Sequence, residues 1–241
     1  MQSIKKNKLS FTVYWPIIKI SRSNVVTRVL IDLLAYLYYK IFRTDRYFKF
    51  IGKKYRYFYH LYNRTVAGER VVEIPISKSY IDKYKGKNIL EVGNVLSHYF
   101  KVEHDILDKY EKGKDIINED VVNYTSNKKY DLIISISTME HVGHSYGEKK
   151  DLKKFSKGIK NLKKLLANNG KLLITLPVYY NSYVTNLIIK KKMPFKKGYF
   201  MKRYSFWNEW KQVDYRQAVS GNKYDGFYAN SNVIYIGEYN K

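Results

Sequence analysis

The sequence predicts an α/β three-layer sandwich on a mostly parallel sheet that a C-terminal antiparallel hairpin closes. From residue 71 onward, short apolar runs alternate with helical patterns, as in parallel strands joined by crossover helices. The run YDLIISIS at 130–137 is almost continuously apolar, which is typical of a strand buried on both faces. The strand candidate NVIYIGEY at 232–239 follows an aromatic tail and suits the closing hairpin.

We divide the chain into an N-terminal extension at 1–70 and an α/β domain at 71–241. The extension carries 15 Lys/Arg against three Asp/Glu. Within it, Val25–Phe42 places apolar residues at helical spacing, which predicts an amphipathic helix. Three charged residues interrupt this run and argue against a membrane span: Arg28, Asp32 and Lys40.

The stretch 46–60 interleaves Tyr and Phe with Lys and Arg. Together with the helix, this basic aromatic segment has three open interpretations. It packs on the main domain, it lies in a membrane interface, or it forms an oligomer contact. The basic segment 1–8 lacks the apolar core of a secretory signal, so we expect a cytoplasmic protein, with peripheral membrane contact as the open alternative.

The composition limits the classes of function. A net charge of +24 suggests a nucleic-acid partner, but only nine of the 45 basic residues are Arg, and solvated surface lysines are the alternative explanation of the charge. Arg is the group best suited to phosphate and base recognition, so nucleic acid is not the favoured partner. The chain has no cysteine, which excludes disulfides, thiolate zinc sites and thiol nucleophiles.

The elements of the α/β domain follow in a regular order. Strand candidates at 87–93, 101–108 and 115–117 precede the buried run at 130–137. A helix is predicted at 149–166, with lysines on its outer face. The helix stop Asn-Asn-Gly and the strand KLLITLP then follow, at 168–170 and 171–177. Ligands of such sheets bind beyond the carboxyl ends of the strands, so residues at those ends are the candidates for a site.

The ordered set of motifs resembles the class I S-adenosylmethionine-dependent methyltransferases. The resemblance covers about residues 71–180 and extends loosely into the tail. Its most specific parts are YDLIISISTMEHVG and NLKKLLANNGKLLITLP. The sequence is most similar to a small branch whose cofactor loop reads EVGN. The resemblance implies a Rossmann-like fold and S-adenosyl-L-methionine as the cofactor.

The loop EVGN, at the end of the first domain strand, is implied to hold the methionine part of the cofactor. Glu91 would orient the loop or accept from the methionine ammonium. Gly93 would let the backbone approach the cofactor closely. Asn94 would supply polar contacts and tolerates unusual backbone angles. After the next strand, Asp108 would accept from the ribose hydroxyls.

Residues after the third and fourth strands complete the implied cofactor site. Asp120 would accept from the adenine amine, with Glu119 as an alternative, and Val121 would lie against the ring. Ser135 and Ser137, at the end of the buried strand, would meet the methionine portion.

Methyl transfer to a hydroxyl also needs a base, and three residues after the buried strand are candidates: Glu140, His141 and His144. Each has a structural alternative as a hydrogen-bonding residue of the turn. His141 and His144 have metal-ligand spacing, but no clear third ligand accompanies them, so we predict no metal site.

The cofactor loop departs from the glycine-rich pattern. In EVGNVLSHY, Val95 and Ser97 hold the places of the later glycines, and only fifteen residues separate Gly93 from Asp108. We therefore expect a shortened first helix that presents fewer backbone N–H groups to the methionine carboxylate.

Two functions remain open from the sequence. The first is methyl transfer to an oxygen or nitrogen of a small-molecule or glycan-like acceptor. An aromatic platform would hold that acceptor: Tyr179, Tyr180, Trp207 and Trp210. The alternative is a non-catalytic module that binds an anionic polymer or a membrane through the acid-free basic stretch 190–203. The sequence does not indicate the oligomeric state.

Overall fold

The computed structural model describes residues 25–144, 151–221, 223–224 and 230–241. The segment 1–8 and residues 149–150, on which sequence expectations bear, lie outside them. The helices are α1 (Val25–Phe42), α2 (Arg70–Lys83), α3 (Lys153–Leu165), α4 (Ser182–Ile189) and α5 (Tyr215–Val219). The strands are β1 (Tyr47–Phe50), β2 (Lys53–Arg56), β3 (Ile89–Val92), β4 (Asp105–Leu107), β5 (Ile116–Ile117), β6 (Tyr130–Ile136), β7 (Leu166–Pro177), β8 (Lys197–Arg203), β9 (Trp210–Val213) and β10 (Val233–Asn240).

Eight strands form one sheet in the order β5-β4-β3-β6-β7-β10-β8-β9. The five strands from β3 to β7 pair in parallel, whereas β8, β9 and β10 pair antiparallel at one edge. This arrangement confirms the predicted fold class, a Rossmann-like sheet that is mostly parallel and is completed by antiparallel C-terminal strands. The strand order reverses between β3 and β6, which is the position where ligands of such sheets bind.

The sheet has a hydrophobic core on each face. Successive side chains of a strand point to opposite faces, so one strand contributes to both cores. In β6, Ile133 belongs to a core shared with α3 and α4, and Ile134 belongs to a second core on the other face. That second core includes α2 and the aromatic side chains of the N-terminal segment. The N-terminal residues therefore supply part of the outer layer on one face.

The N-terminal segment is fastened to the antiparallel edge of the sheet. Strands β1 and β2 form an antiparallel hairpin. The Tyr57 hydroxyl accepts from Trp210 N at 2.7 Å and lies 3.2 Å from Trp210 O, to which it donates. Asn208 Nδ2 donates to the carbonyls of Val66 and Gly68. The domain boundary at residue 70 stays a prediction, with side chains from both sides of it sharing one core.

The first crossover of the sheet has no α-helix. A single 3₁₀ turn, Leu96–His98, follows β3, and the chain then runs without regular structure to β4. The helix that was expected to be short in this crossover is therefore reduced to a single 3₁₀ turn.

Most of the apolar side chains of helix α1 are exposed, which is unusual for a helix of a folded domain. Within the described residues, no helix combines the length and apolar character that crossing a bilayer requires.

Candidate functional site

A cavity of about 390 Å³ opens at the carboxyl ends of β3, β4 and β6, where the strand order reverses. Its size is within the range of small-molecule sites. Seven of the residues expected at the site line it: Gly93, Asn94, Asp108, Asp120, Val121, Ser137 and His141. The chain also places residues there that the sequence did not single out for a role, among them Asn63, Arg70, Tyr110, Glu111 and Thr138.

Gly93 turns the chain sharply at the end of β3. Its φ of +87° lies in the left-handed region, and a Cβ at this position would overlap the side chain of Thr138. Its N–H donates to Leu107 O at 2.8 Å, which ties the loop to the neighbouring strand. Only glycine suits this position, because both the backbone angle and the close approach of Thr138 exclude a side chain.

Glu91 lies behind the loop and outside the cavity lining. It is fully buried, and its Oε1 accepts from the backbone N–H groups of Val95 and Leu96 at 3.0 and 2.8 Å. Its Oε2 lies 2.7 Å from His104 Nε2. The carboxylate thus receives the two N–H groups at the start of the 3₁₀ turn, which have no acceptor within the turn, and it holds the loop from the interior.

Asp108 fixes the mouth of the cavity. Its Oδ2 accepts from Asn94 N, and its Oδ1 accepts from Tyr110 N and Glu111 N, each at 2.9 Å. Glu111 also faces the cavity and accepts from Asn94 Nδ2 at 2.6 Å. The Ser97 hydroxyl donates to the Asn94 amide oxygen, so this serine braces the loop. The strand end therefore presents two carboxylates to the cavity.

Asp120 lies on the opposite wall beside Val121. Its carboxylate accepts from Lys109 Nζ and Lys154 Nζ at 3.0 and 3.2 Å, and from Val122 N at 3.0 Å. Partial burial alone would raise the pKa of Asp120, but these hydrogen bonds outweigh it and lower that pKa. Asp120 is consequently ionised at neutral pH.

The two serines at the end of β6, Ser135 within the strand and Ser137 just after it, have different surroundings. Ser135 is fully buried, donates to Val92 O at 2.9 Å and does not line the cavity. Ser137 lines it with a φ of +40°, and its hydroxyl donates to Glu73 Oε1 at 2.6 Å. Ser137 therefore joins the cavity to a buried acidic cluster.

This acidic cluster consists of Glu69, Glu73 and Glu140 around Arg70. Arg70 Nη1 donates to Ile136 O at 2.9 Å and lies 3.6 Å from Glu73 Oε2. Within the described part of the chain, the Oε2 atom of each of the three acids accepts no hydrogen bond. The cluster thus holds more carboxyl groups than the one guanidinium can neutralise.

Burial, with repulsion from neighbouring carboxylates, raises the pKa of two of these acids, Glu69 and Glu140. Burial, with a contribution from Glu73, raises the pKa of Glu69 to about 7. Burial likewise raises the pKa of Glu140 well above its usual range. Glu140 also lies outside the cavity lining, and its carbonyl accepts from Asn181 Nδ2 at 2.7 Å. A carboxyl group that keeps its proton is poorly suited to act as a base.

His141 lines the cavity and lies beside this cluster. Burial, and then the nearby charge of Arg70, lower the pKa of His141 to about 4. Its Nδ1 lies 3.2 Å from the Tyr180 hydroxyl, and its Nε2 lies 3.7 Å from Glu140 Oε1. The imidazole is therefore neutral at pH 7. His144 lies outside the lining, with its ring 5.8 Å from that of Tyr180.

The aromatic residues expected to hold the acceptor lie apart. Tyr180 contacts His141, so it is close to the cavity. Tyr179 instead donates to Val219 O at 2.8 Å. Trp210, in β9, is buried in the hydrophobic core, and the Trp207 ring stacks on Tyr38 of α1. Neither tryptophan lines the cavity.

The basic stretch 190–203 does not form one uniform exposed surface. Its first three lysines are exposed, but Arg203 is buried and donates to Ala67 O at 2.9 Å. Lys202 Nζ donates to Gln217 O. The last two basic residues therefore have structural contacts. Within the described residues, no group of three or more His, Asp or Glu side chains is arranged to hold a metal ion.

The helix α2 supplies the residues that sequence reasoning missed. Glu69, Glu73 and Ser77 recur at intervals of four between Val and Ile residues. This spacing would place the three polar groups on one face of a helix, and it is the signal that could have identified them had the segment been read as helical.

No family model matches the sequence, and no curated protein is similar enough in sequence to be matched to it. Among solved structures, the chain is similar to the N-methyltransferase NodS from Bradyrhizobium japonicum in complex with S-adenosyl-L-homocysteine. The identity is 10%, over 72% of this chain and 87% of that one, with a TM-score of 0.44. It is also similar to an S-adenosylmethionine-dependent methyltransferase from Clostridium acetobutylicum, at 12% identity over 88% and 100% of the two chains and a TM-score of 0.37. The sugar N-methyltransferase KedS8 from a Streptoalloteichus species gives 11% identity over 55% and 54%, with a TM-score of 0.32. At such scores, these similarities assign a function to no residue of this chain.

Proposed function

We propose that the chain is a class I S-adenosyl-L-methionine-dependent methyltransferase of the branch whose cofactor loop reads EVGN. The acceptor is an oxygen or nitrogen of a small molecule, with glycan-like compounds included. One observation carries the proposal. A single cavity at the reversal of strand order brings together Gly93, Asp108, Asp120 and Ser137, which follow four successive parallel strands.

The cavity fits the nucleoside part of this cofactor. Asp108 is held by three N–H groups beside Glu111, and together they offer carboxylate oxygens to a ribose. On the opposite wall, Val121 offers an apolar surface to an adenine ring. Asp120 and Glu119 lie beside it as acceptors for the exocyclic amine.

The methionine end needs a cation for its carboxylate, because the crossover after β3 provides only a 3₁₀ turn. Arg70 lines the same cavity as Gly93, and a guanidinium is the group of choice for a carboxylate. Ser137 lines the cavity and donates to the buried Glu73 behind it, so its hydroxyl oxygen suits the ammonium group as an acceptor.

Bound S-adenosylmethionine would supply an electrophilic methyl group. The task of the protein is to align the acceptor and to take its proton. His141 suits that task, since its imidazole is neutral at pH 7 and lines the cavity. Tyr180 holds the ring through Nδ1. Glu140, with its raised pKa, would act on the orientation of His141 instead of taking the proton itself.

Calorimetry with S-adenosylmethionine and S-adenosylhomocysteine tests the proposal on the full chain. We expect one site per chain and a loss of at least tenfold in affinity for Asp108→Ala. The matched control Asp82→Ala removes a surface carboxylate that pairs with Lys78 and should bind as the wild type does. Absence of binding at millimolar cofactor, in protein shown by circular dichroism to be folded, would refute the proposal.

A further inference from the structure

Helix α1 presents its apolar face to solvent. Its apolar side chains recur at intervals of three and four residues, which places them on one side of the helix. Among the described residues, the side chains of this face are exposed by 40–75%: Val26, Val29, Leu30, Leu33, Leu34, Leu37 and Ile41. A contiguous exposed apolar surface on this scale is typical of an interaction site.

The helix is held by its C-terminal end. Tyr39 is buried, the Tyr38 ring stacks on Trp207 at 5.1 Å, and Arg43 forms an ion pair with Glu209 at 2.6 Å. These contacts leave the apolar face uncovered within the described residues, and they anchor it to the edge of the sheet. The face is therefore fixed to the folded domain.

Basic and aromatic residues are frequent in α1 and in the β1–β2 hairpin that comes after it in the sequence. Residues 25–60 carry eight Lys/Arg and two Asp/Glu. In the β1–β2 hairpin the exposed Tyr47 ring has Lys54 Nζ 4.2 Å from its centroid and accepts at its hydroxyl from Arg56 Nε at 3.0 Å. Trp207, also partly exposed, has the Arg43 guanidinium 5.6 Å from its ring. Lysine, arginine and amphipathic aromatic rings are the groups that favour the headgroup region of a bilayer.

We infer that α1 and the β1–β2 hairpin form a docking surface for membranes that contain anionic lipids. The apolar face of α1 lies in the boundary between headgroups and acyl chains, and the basic residues contact the headgroups. Charge decides against a second copy of the chain as the occupant, since pairing this surface with itself would bring two strongly basic segments together. The inference does not depend on methyl transfer.

Sedimentation of the full chain with vesicles tests this docking surface. We expect binding to vesicles of phosphatidylcholine with about one third phosphatidylserine, and binding at least tenfold weaker to phosphatidylcholine alone. Added salt should weaken it because exposed charges are screened. Lys53→Glu with Lys54→Glu should remove most of the preference for phosphatidylserine.

The apolar contribution is tested by Leu30→Glu with Leu34→Glu, which we expect to reduce binding at least tenfold. Ile189→Glu is the matched control, because Ile189 is an exposed apolar side chain on α4. All three side chains are exposed, so melting temperatures should change little. Absence of vesicle binding by the wild type would overturn the inference. So would a Leu30→Glu, Leu34→Glu protein that binds vesicles as well as the Ile189→Glu control. A third contradicting result would be a wild-type protein that is dimeric and does not bind vesicles, and that becomes monomeric when Leu30 and Leu34 are both replaced by Glu.

Discussion

Replacing Glu69 by glutamine should stabilise the protein at alkaline pH and leave its stability unchanged at acid pH. Burial, with repulsion from Glu73, raises the pKa of Glu69 to about 7 from an ordinary 4.5. Between these values the folded protein binds more protons than the unfolded chain, so its free energy of unfolding falls as pH rises. The difference between the two pKa values corresponds to about 3 kcal/mol.

Glutamine keeps the shape and the accepting oxygen of this side chain but has no charge to bury. We therefore expect the Glu69→Gln protein to exceed the wild type by about 3 kcal/mol at pH 8.5 and to match it at pH 4.5. Urea denaturation followed by tryptophan fluorescence measures both values. Asp82→Asn, at an exposed carboxylate, serves as the control and should show no such dependence between pH 6 and 8.5. An equal difference at both pH values, or a less stable variant at pH 8.5, would refute the reasoning.

Three further outcomes follow from the contacts described. Gly93→Ala should destabilise the fold by about 2 kcal/mol more than Gly86→Ala, because both glycines have positive φ but only Gly93 has no space for a Cβ. Equal losses in urea denaturation would contradict this. An NMR titration should place the midpoint of the partly buried His141 ring near pH 4, and a midpoint near 6.5 would show that the ring is solvated. Tyr57→Phe should lower the free energy of unfolding by about 1–2 kcal/mol, because it leaves the Trp210 N–H without its acceptor. Calorimetric melting measures this loss, and an unchanged stability would contradict the prediction.

The sheet could be predicted where local pattern and burial agree. Strand β6 matches its prediction to within a residue because a strand buried on both faces is apolar throughout. Strand β7 begins at Leu166, five residues before its expected start. The Asn-Asn-Gly segment that predicted a turn instead lies within the strand beside an irregularity in its pairing with β6. Asn169 has a φ of +62°, so the segment keeps a turn-like backbone as an irregularity inside a longer strand.

The candidate site was only partly predictable for a different reason. Residues after successive parallel strands meet at one edge, so the chain order alone brought Gly93, Asp108 and Asp120 together. Arg70 and Glu73 come from a helix that precedes the sheet, and their position depends on tertiary packing. Helix α2 also has Pro75 within it and little contrast between its faces, so its pattern did not predict a helix.

The paired hydrogen bonds between Tyr57 and Trp210 join residues 153 positions apart. During protein synthesis, at about 5–20 residues per second, on the order of ten seconds pass between the emergence of one partner and the other. Until then the aromatic side chains of the β1–β2 hairpin have no sheet edge to pack against. A ribosome-bound chain therefore exposes them to chaperones or to aggregation until residue 210 has been translated.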